Sequence, residues 1–380
     1  MRKTRDFDFD LMELCTRGVR GLKLYEPGKP ISELQRELGI GDIIKLASNE
    51  NPLGPSPRVP VAIREALTEL ALYPDGQAYN LRQILAKKHA IDPACITLGD
   101  GSDQNIEFLA RVFLEPGRNA VFSRHAFAVY TIVTQAAGAE KREVEANPPA
   151  HPTAPYGHNL GRLFQAVDAN TRIVFLANPN NPTGTWCDKQ SMRNFLERVP
   201  GKTLVVVDEA YIEYVYEPDY PDCSCWLDEF PNLVVTRTFS KIYGLAALRV
   251  GYSLSHPRVA ELLNRVRQPF NVNNLAQVGA IAALGDQEHI RRSAEVNKKG
   301  MQQLQAGFRS LGLAWIPSIA NFLTVDFKRP VRPIYEALLR EGLIVRPVHN
   351  YGLPNHLRIS IGLPEQNERL LAALKKVVGI

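Results

Sequence analysis

A single lysine, Lys241, lies in a stretch of small, apolar and hydroxyl-bearing residues that reads "TRTFSKIYGLAALRVGY". The next cation along the chain is Arg249. One interpretation is an ordinary surface charge on a loop. The other is a reactive amine, because apolar surroundings desolvate an ammonium group, lower its pKa and free the amine to act as nucleophile or base. The polar residues that follow other apolar runs of the sequence help to decide between these two interpretations.

The segment "LGDGSDQN" combines two glycines with Ser102 just before a helical pattern. We expect the helix to begin at about Asp103, with Ser102 as its N-cap. A helix that begins after a glycine-containing turn presents free N–H groups, which can bind an anion. An ordinary capped turn would have the same sequence.

The segment "VVVDEAY" places Asp208 at the end of an apolar run, three residues before Tyr211. Together with the "GKT" at 201–203, the aspartate resembles part of a nucleoside triphosphatase. That interpretation fails, because a phosphate loop requires glycine where this chain has Leu196, and the "GKT" precedes a strand rather than a helix. Asp208 could simply end the strand. It could also hold a positive charge on a ring nitrogen, as a pyridine cofactor requires.

The segment "NPNNPTG" follows another apolar run and predicts a stiff loop with amide side chains directed into a crevice. It could equally be a rigid turn with no further role. Taken together, these pieces specify a site. It combines an anion cradle, an amide loop, a strand-end aspartate with a nearby tyrosine, and an isolated lysine. A ligand with a phosphate, a phenolic oxygen, a pyridine nitrogen and an aldehyde would match them. These are the groups of pyridoxal phosphate.

The order of the predicted elements indicates the fold class. Five apolar, β-branched runs alternate with helical patterns, which predicts an α/β domain with a mostly parallel sheet. Ligands of such sheets bind beyond the carboxyl ends of the strands, where these polar residues lie. From about residue 284 the pattern changes to a smaller α+β domain. We predict a large domain at 44–283 and a small domain formed by 284–380 together with an N-terminal arm, 1–43.

Composition excludes several other classes of protein. The chain has 380 residues and a net charge of +5, with its basic residues scattered, so we expect no nucleic-acid partner. A transcription regulator would need a helix-turn-helix module, for which the roughly 40 residues before "KLASNEN" are too few. We expect no signal peptide and no membrane span. Five cysteines and eight histidines without ligand spacing predict a metal-free, cytoplasmic protein.

Longer motifs carry a resemblance to a known family. The general motifs are "NPNNPTG", "DEAY", "SK" and "LRISIG", and the narrower ones include "YEPGKP", "LASNENPLGPSP", "YPDG", "RQPFNVN" and "VRPVHNYGLPNHLRISIG". With these motifs the chain resembles the fold-type I pyridoxal-phosphate aminotransferases, and within them the histidinol-phosphate aminotransferases. The resemblance extends from about residue 25 to the C-terminus. It implies an α/β fold with a large, mostly parallel mixed sheet and a smaller α+β domain.

The resemblance also implies roles for individual residues around the cofactor. Lys241 would form the Schiff base, Asp208 would keep the pyridinium nitrogen protonated, and Tyr211 and Asn181 would bind the phenolic oxygen. Phe127 matches the aromatic residue that stacks on the ring. The residues implied at the cofactor phosphate are Ser102, Asp103, Gln104, Ser240 and Arg249.

The remaining implied residues bind substrate or a second subunit. Tyr73 matches a residue that reaches the neighbouring subunit's cofactor, which implies a homodimer with shared active sites. Arg358 matches the arginine that grips the acidic end of substrates, with Arg346 as a second cation. Tyr25 and Asn51 would line the substrate end. On its strand, however, Arg358 could also face solvent.

The implied reaction is transamination between L-histidinol phosphate and 2-oxoglutarate, with ping-pong kinetics, as a step of histidine biosynthesis. Lys241 would carry the proton between substrate and cofactor carbons. An arginine fork suits both a phosphate and a carboxylate, which the two half-reactions present in turn. Two related activities stay open, an aromatic amino acid aminotransferase and a decarboxylase of a phosphorylated amino acid.

Overall fold

Strands form where the sequence has short apolar and β-branched runs, and helices fill the intervals between them. The computed structural model describes residues 9–24 and 26–379. Within these residues the strands are β1 (Ile44–Lys45), β2 (Ile96–Gly99), β3 (Asn119–Ser123), β4 (Glu140–Val144), β5 (Thr171–Ala177), β6 (Leu204–Asp208), β7 (Leu233–Thr238), β8 (Gly251–Ser255), β9 (Ala314–Ile316), β10 (Phe322–Asp326), β11 (Leu343–Ile344), β12 (Arg346–Pro347) and β13 (His356–Ser360).

The α-helices of the described residues range from one turn to 24 residues. They are α1 (Arg17–Arg20), α2 (Ile31–Leu38), α3 (Arg58–Ala66), α4 (Tyr79–His89), α5 (Gly101–Phe113), α6 (Ala128–Ala136), α7 (Leu160–Gln165), α8 (Lys189–Arg198), α9 (Pro257–Val266), α10 (Asn274–Leu284), α11 (Gln287–Ser310), α12 (Arg332–Arg340) and α13 (Pro364–Val378). Short 3₁₀ turns, such as Ile212–Tyr214 after β6, connect several of them.

The large sheet of the described chain has seven strands in the order β2-β8-β7-β6-β5-β3-β4. Strands β7, β6, β5, β3 and β4 run parallel, whereas β8 is antiparallel to both of its neighbours. The sheet is therefore mixed but mostly parallel. The carboxyl ends of β5, β6 and β7 meet at one edge, which is the edge the sequence assigns to the site.

Helices cover both faces of this sheet, so its strands are apolar on both sides. Successive residues of β6 alternate between two separate cores. Leu204 and Val206 pack with α5, α6 and α9, whereas Val205 and Val207 pack with α4, α8 and α10. This alternation puts Asp208 on the α6 side and Glu209 on the α4 side. The side chains of these two adjacent acidic residues therefore lie on opposite faces of the sheet.

A second, antiparallel sheet has the order β12-β13-β10-β9, and β1 pairs in parallel with β11. Helices α11, α12 and α13 pack with these strands around their own apolar core. The predicted fold class, an α/β chain with a large mostly parallel mixed sheet and a smaller α+β part, is confirmed. The boundaries at residues 43, 44, 283 and 284 stay a prediction. Within 9–24 and 26–379, none of the helices is long and apolar enough to cross a membrane.

A buried ion pair ties β6 to β7 on the α4 side of the sheet. Both guanidinium nitrogens Nε and Nη2 of Arg237 donate to Oε2 of Glu209, at 3.0 and 2.7 Å. The other carboxylate oxygen accepts the backbone N–H of Cys223 at 2.9 Å. Arg237 also pairs with Asp222. Since Glu209 is 0% exposed, these partners rather than water must stabilise its negative charge.

We expect Arg237→Met to destabilise the fold by about 3–5 kcal/mol, because the substitution leaves the buried Glu209 carboxylate without its cation. Urea unfolding followed by circular dichroism measures the loss. The matched control is Arg265→Met, which removes an exposed helical ion pair with Glu261 and should change stability by less than about 1 kcal/mol. Equal unfolding midpoints for the two variants would contradict this prediction.

Candidate active site

A cavity opens at the carboxyl edge of the parallel strands, between the large sheet and the antiparallel sheet. Most of the residues predicted for the site line it. They are Ser102, Asp103, Phe127, Asn181, Asp208, Tyr211, Ser240, Lys241, Arg249, Arg346 and Arg358. Further lining residues were not predicted from the sequence, among them Asn49, Glu50, Ala177 and Thr238.

Lys241 follows β7 by three residues and points its amine into the cavity. Its Nζ atom donates to the carbonyl oxygen of Ser48 at 3.3 Å and lies 5.7 Å from the ring centroid of Tyr211. Burial and, to a smaller extent, the positive charge of Arg358 together lower the pKa of Lys241 to about 8. A substantial fraction of this amine is therefore neutral near pH 8. The structure favours the reactive amine over the surface charge.

Asp208 ends β6 with a buried carboxylate. Its Oδ2 atom accepts the hydroxyl of Tyr130 at 3.1 Å, whereas Oδ1 has no hydrogen-bond partner among residues 9–24 and 26–379. Burial raises the pKa of Asp208 to about 6. A buried carboxylate oxygen without a partner is costly unless a ligand supplies the missing donor. A protonated ring nitrogen is such a donor, so Asp208 fits the predicted cofactor.

Tyr211 presents its phenol to the same cavity. Its hydroxyl oxygen accepts Nδ2–H of Asn49 at 3.0 Å, and burial raises the pKa of Tyr211 well above the ordinary value, which keeps the phenol protonated. Sequence reasoning missed Asn49. Its left-handed backbone, with φ of +55°, is one that asparagine tolerates, and its place in "SNENP" was the available signal.

The anion cradle forms where α5 begins. The helix begins at Gly101, two residues before the predicted start, and its N-cap is Asp100 rather than Ser102. The Nη1 atom of Arg249 donates to Oγ of Ser240 at 3.4 Å. A Cβ atom at Gly101 would lie 2.4 Å from Nη2 of Arg249. Only glycine lets this guanidinium approach the helix start, which fits a phosphate held by both.

Two arginines come from the antiparallel sheet, where Arg346 and Arg358 are cross-strand neighbours. Arg358 donates to Oδ1 of Asn181 and to the carbonyl of Ala47, each at 2.6 Å, and Arg346 donates to the carbonyl of Glu26. Both are buried, at 7% and 8% exposure. The face of β13 that could have been solvent-exposed therefore lines the cavity. Two neighbouring, desolvated guanidiniums in one cavity suit an acidic substrate group.

The asparagine loop uses most of its amides internally. Asn178 exchanges hydrogen bonds with the backbone of Cys187, and Asn180 donates to the carbonyl of His125 and to Thr183. Of its three asparagines, Asn181 alone lines the cavity. The expectation that amide side chains of this loop point into the crevice holds for Asn181, whereas Asn178 and Asn180 satisfy buried backbone groups.

Three predicted site residues, Gln104, Asn51 and Tyr73, do not line the cavity, and their roles stay predictions, as does that of Tyr25. The Gln104 side chain binds Asn271, Gln268 and the N–H of Asp100. Asn51 donates to the carbonyl of Ile242 and to Ser293. Tyr73 is 82% exposed and stacks on the ring of Phe270, with 4.6 Å between centroids. Tyr25 lies outside the described residues.

Comparison with known proteins decides the family. The model for aminotransferases of class I and II matches residues 41–374. The chain belongs to this family. It is also similar to a histidinol-phosphate aminotransferase 2 of Pseudomonas fluorescens, with 56% identity over 97% of this chain and 98% of the relative. A Pseudomonas aeruginosa protein of the same description is 55% identical, over 97% and 99% of the two chains.

A solved structure agrees with these relatives. The histidinol-phosphate aminotransferase of Sinorhizobium meliloti, crystallised with pyridoxal 5'-phosphate, superposes with a TM-score of 0.88 and 29% identity, covering 99% of both chains. Within its family, this aminotransferase therefore belongs to the histidinol-phosphate aminotransferases. The predicted family and the predicted aminotransferase activity are confirmed.

We expect Gly101→Ala to weaken pyridoxal phosphate binding about tenfold or more, because the new Cβ displaces the guanidinium of Arg249 and costs a charge-assisted contact. Titration of the cofactor-free aminotransferase, followed by absorbance, gives the Kd. Gly117→Ala is the matched control: Gly117 also has a positive φ, of +86°, but no atom lies within 4 Å of its Cβ position. Equal weakening in both variants would mean that backbone strain alone is responsible.

Proposed function

We propose that this aminotransferase transfers the amino group between L-histidinol phosphate and 2-oxoglutarate, forming imidazole acetol phosphate and glutamate, as a step of histidine biosynthesis. The observation that carries the proposal is the pair of buried arginines, Arg346 and Arg358, that line the same cavity as Lys241. The histidinol-phosphate aminotransferases with more than half of their residues identical support the same substrate.

The cofactor of this aminotransferase is pyridoxal phosphate, as its sequence predicts. When bound, the cofactor supplies an electron-withdrawing ring that stabilises negative charge on the substrate carbon. Oδ1 of Asp208 would accept the ring N–H, and Tyr211 and Asn181 would face the phenolic oxygen. The start of α5, Ser240 and Arg249 would hold the phosphate.

Lys241 carries the proton transfer. Since the pKa of Lys241 is lowered to about 8, its neutral amine is available to take a proton from the substrate carbon and to return it. Asp208 would stabilise the positive charge on the cofactor's ring nitrogen. Arg358 and Arg346 bind the phosphate of one substrate and a carboxylate of the other. Both groups are anions that a guanidinium can bind through two parallel hydrogen bonds.

A half-reaction assay tests the substrate. When the enzyme is mixed with histidinol phosphate alone, we expect the visible absorbance of the bound aldehyde to be replaced by that of the amine. Arg358→Met should lower kcat/KM for histidinol phosphate about ten- to a hundredfold, because it removes a charge-assisted contact. Arg265→Met, an exposed arginine, should leave kcat/KM unchanged.

Two outcomes would overturn the proposed substrate. Much higher kcat/KM for phenylalanine than for histidinol phosphate would indicate an aromatic aminotransferase. Release of carbon dioxide from a phosphorylated amino acid, without any need for a keto acid, would indicate a decarboxylase.

We also propose a homodimer in which each subunit completes the other's site. Exposed apolar side chains cluster in sequence just before Tyr73, with Leu70 at 65% and Leu72 at 69% exposure. Apolar groups left in water at this density are typical of surfaces that a partner covers. Tyr73, exposed and stacked on Phe270, is placed to reach across such an interface. The cytoplasmic location stays a prediction from cysteine usage.

We expect the double variant Leu70→Asp, Leu72→Asp to sediment as a monomer and to bind pyridoxal phosphate more weakly, because charges would be buried in the interface. Sedimentation velocity and cofactor titration measure the two effects. Tyr216→Asp, at another exposed apolar position, should remain dimeric. The shared site would be refuted if the unaltered enzyme sedimented as a monomer and still bound pyridoxal phosphate tightly.

A further inference from the structure

A fully buried tyrosine, Tyr130, lies directly behind the strand-end aspartate. It is on α6 and 0% exposed, and its hydroxyl donates to Oδ2 of Asp208 at 3.1 Å. Its ring stacks on Phe175, with centroids 4.7 Å apart and planes 4° from parallel. Phe127 packs edge-on against the same ring at 5.9 Å. These contacts fix the ring, and therefore the direction of the hydroxyl.

The hydroxyl of Tyr130 makes the two carboxylate oxygens of Asp208 different from each other. Oδ2 is engaged by Tyr130, whereas Oδ1 has no partner among the described residues although the side chain lines the cavity. A carboxylate with one oxygen anchored can rotate only by breaking that hydrogen bond. The free oxygen is therefore held toward the position that a ring nitrogen would occupy.

The helical spacing of α6 links this anchor to the ring site. Phe127 is the N-cap residue of α6 and lines the cavity, and Tyr130 follows three residues later on the same side of the helix. One helix start thus places an aromatic ring beside the cofactor site and a hydroxyl behind its charge partner. The sequence shows both residues in "RHAFAVY", but nothing in that string indicates that the tyrosine touches Asp208.

We propose that Tyr130 is a positioning residue for Asp208, holding the carboxylate so that Oδ1 meets the ring nitrogen of pyridoxal phosphate. The proposal rests on the cofactor assigned under the proposed function but not on the identity of the substrate. Tyr130 touches neither substrate nor cofactor and acts through Asp208 alone.

The chemistry of a phenol suits this task. Burial raises the pKa of Tyr130 well above the ordinary value, so the group stays a neutral donor. Its hydrogen bond lowers the pKa of Asp208, against the larger effect of burial, which raises it. A cation in the same position would neutralise the carboxylate and compete with the ring N–H. A neutral donor keeps Asp208 charged and leaves its attraction for a cation intact.

The test is Tyr130→Phe, which removes the hydroxyl and keeps the stacked ring. We expect the Kd for pyridoxal phosphate to rise about ten- to a hundredfold, the loss typical of a hydrogen bond to a charged group. In the cofactor-free protein, the pKa of Asp208 should rise further above about 6. Infrared difference spectroscopy of the carboxyl stretch, with Asp208→Asn as the blank, measures this titration.

Tyr252→Phe is the matched control. Tyr252 is also buried, and its hydroxyl bonds to Nε2 of His89 at 3.0 Å in the core on the opposite face of the large sheet. It should lose similar stability without changing cofactor affinity or the Asp208 titration. A second variant, Phe175→Leu, keeps the hydroxyl but removes the stacked ring, and should weaken cofactor binding by a smaller factor than Tyr130→Phe.

The results separate the possible explanations. Unchanged cofactor affinity and an unchanged Asp208 titration in Tyr130→Phe would overturn the proposal, and so would equal weakening by Tyr252→Phe. If Tyr130→Phe does not fold, a Phe175→Leu variant that binds the cofactor as tightly as the unaltered enzyme overturns it instead. Failure to turn over histidinol phosphate, with both predicted shifts present, would refute only the proposed substrate.

Discussion

The buried carboxylate of Asp208 and the buried amine of Lys241 line a single cavity, and the surrounding structure must stabilise both groups away from water. Burial raises the pKa of Asp208 and lowers that of Lys241, so each group is moved toward its neutral form. Neither charge could persist there without partners of defined geometry. The parallel strands supply both groups at one edge because β6 and β7 are neighbours whose carboxyl ends lie at the same edge of the sheet. The cofactor requires a carboxylate at its ring nitrogen and an amine at its aldehyde, and Asp208 and Lys241 are the groups available for these two positions.

The same two strands are held from behind by groups that never reach the cavity. On the α6 side Tyr130 anchors Asp208, and on the α4 side Glu209 and Arg237 join β6 to β7 by a buried ion pair. Alternation along a strand makes this possible, since adjacent residues point to opposite faces. The segment "DEAY" thus combines a group that faces the ligand with one that fixes the strand carrying it.

The two arginines that we propose to bind the substrate come from the other sheet. Arg346 and Arg358 stand on β12 and β13, and the segment that precedes α3 contributes Asn49 and the carbonyl of Ala47. Lys241 and Asp208 on one side, and the two arginines on the other, therefore belong to separate sheets with separate cores. The charge of Arg358 also lowers the pKa of Lys241, so the residue that we propose to bind an acidic group also favours the neutral amine.

The sequence by itself determined the alternation of strands and helices, the mostly parallel sheet and the positions of Lys241, Asp208 and Tyr211 at strand ends. These follow from local patterns, because apolar runs and their polar ends are read directly along the chain. The contacts of Asn49, Tyr130 and Arg358 were decided only by tertiary structure. Each joins residues far apart in the chain, such as Tyr130 and Asp208, and packing alone determines which buried polar groups meet. For the same reason Asn51 and Gln104, whose motifs pointed to the site, bind other partners: a motif specifies residue types, whereas the direction of a side chain depends on what the fold places beside it.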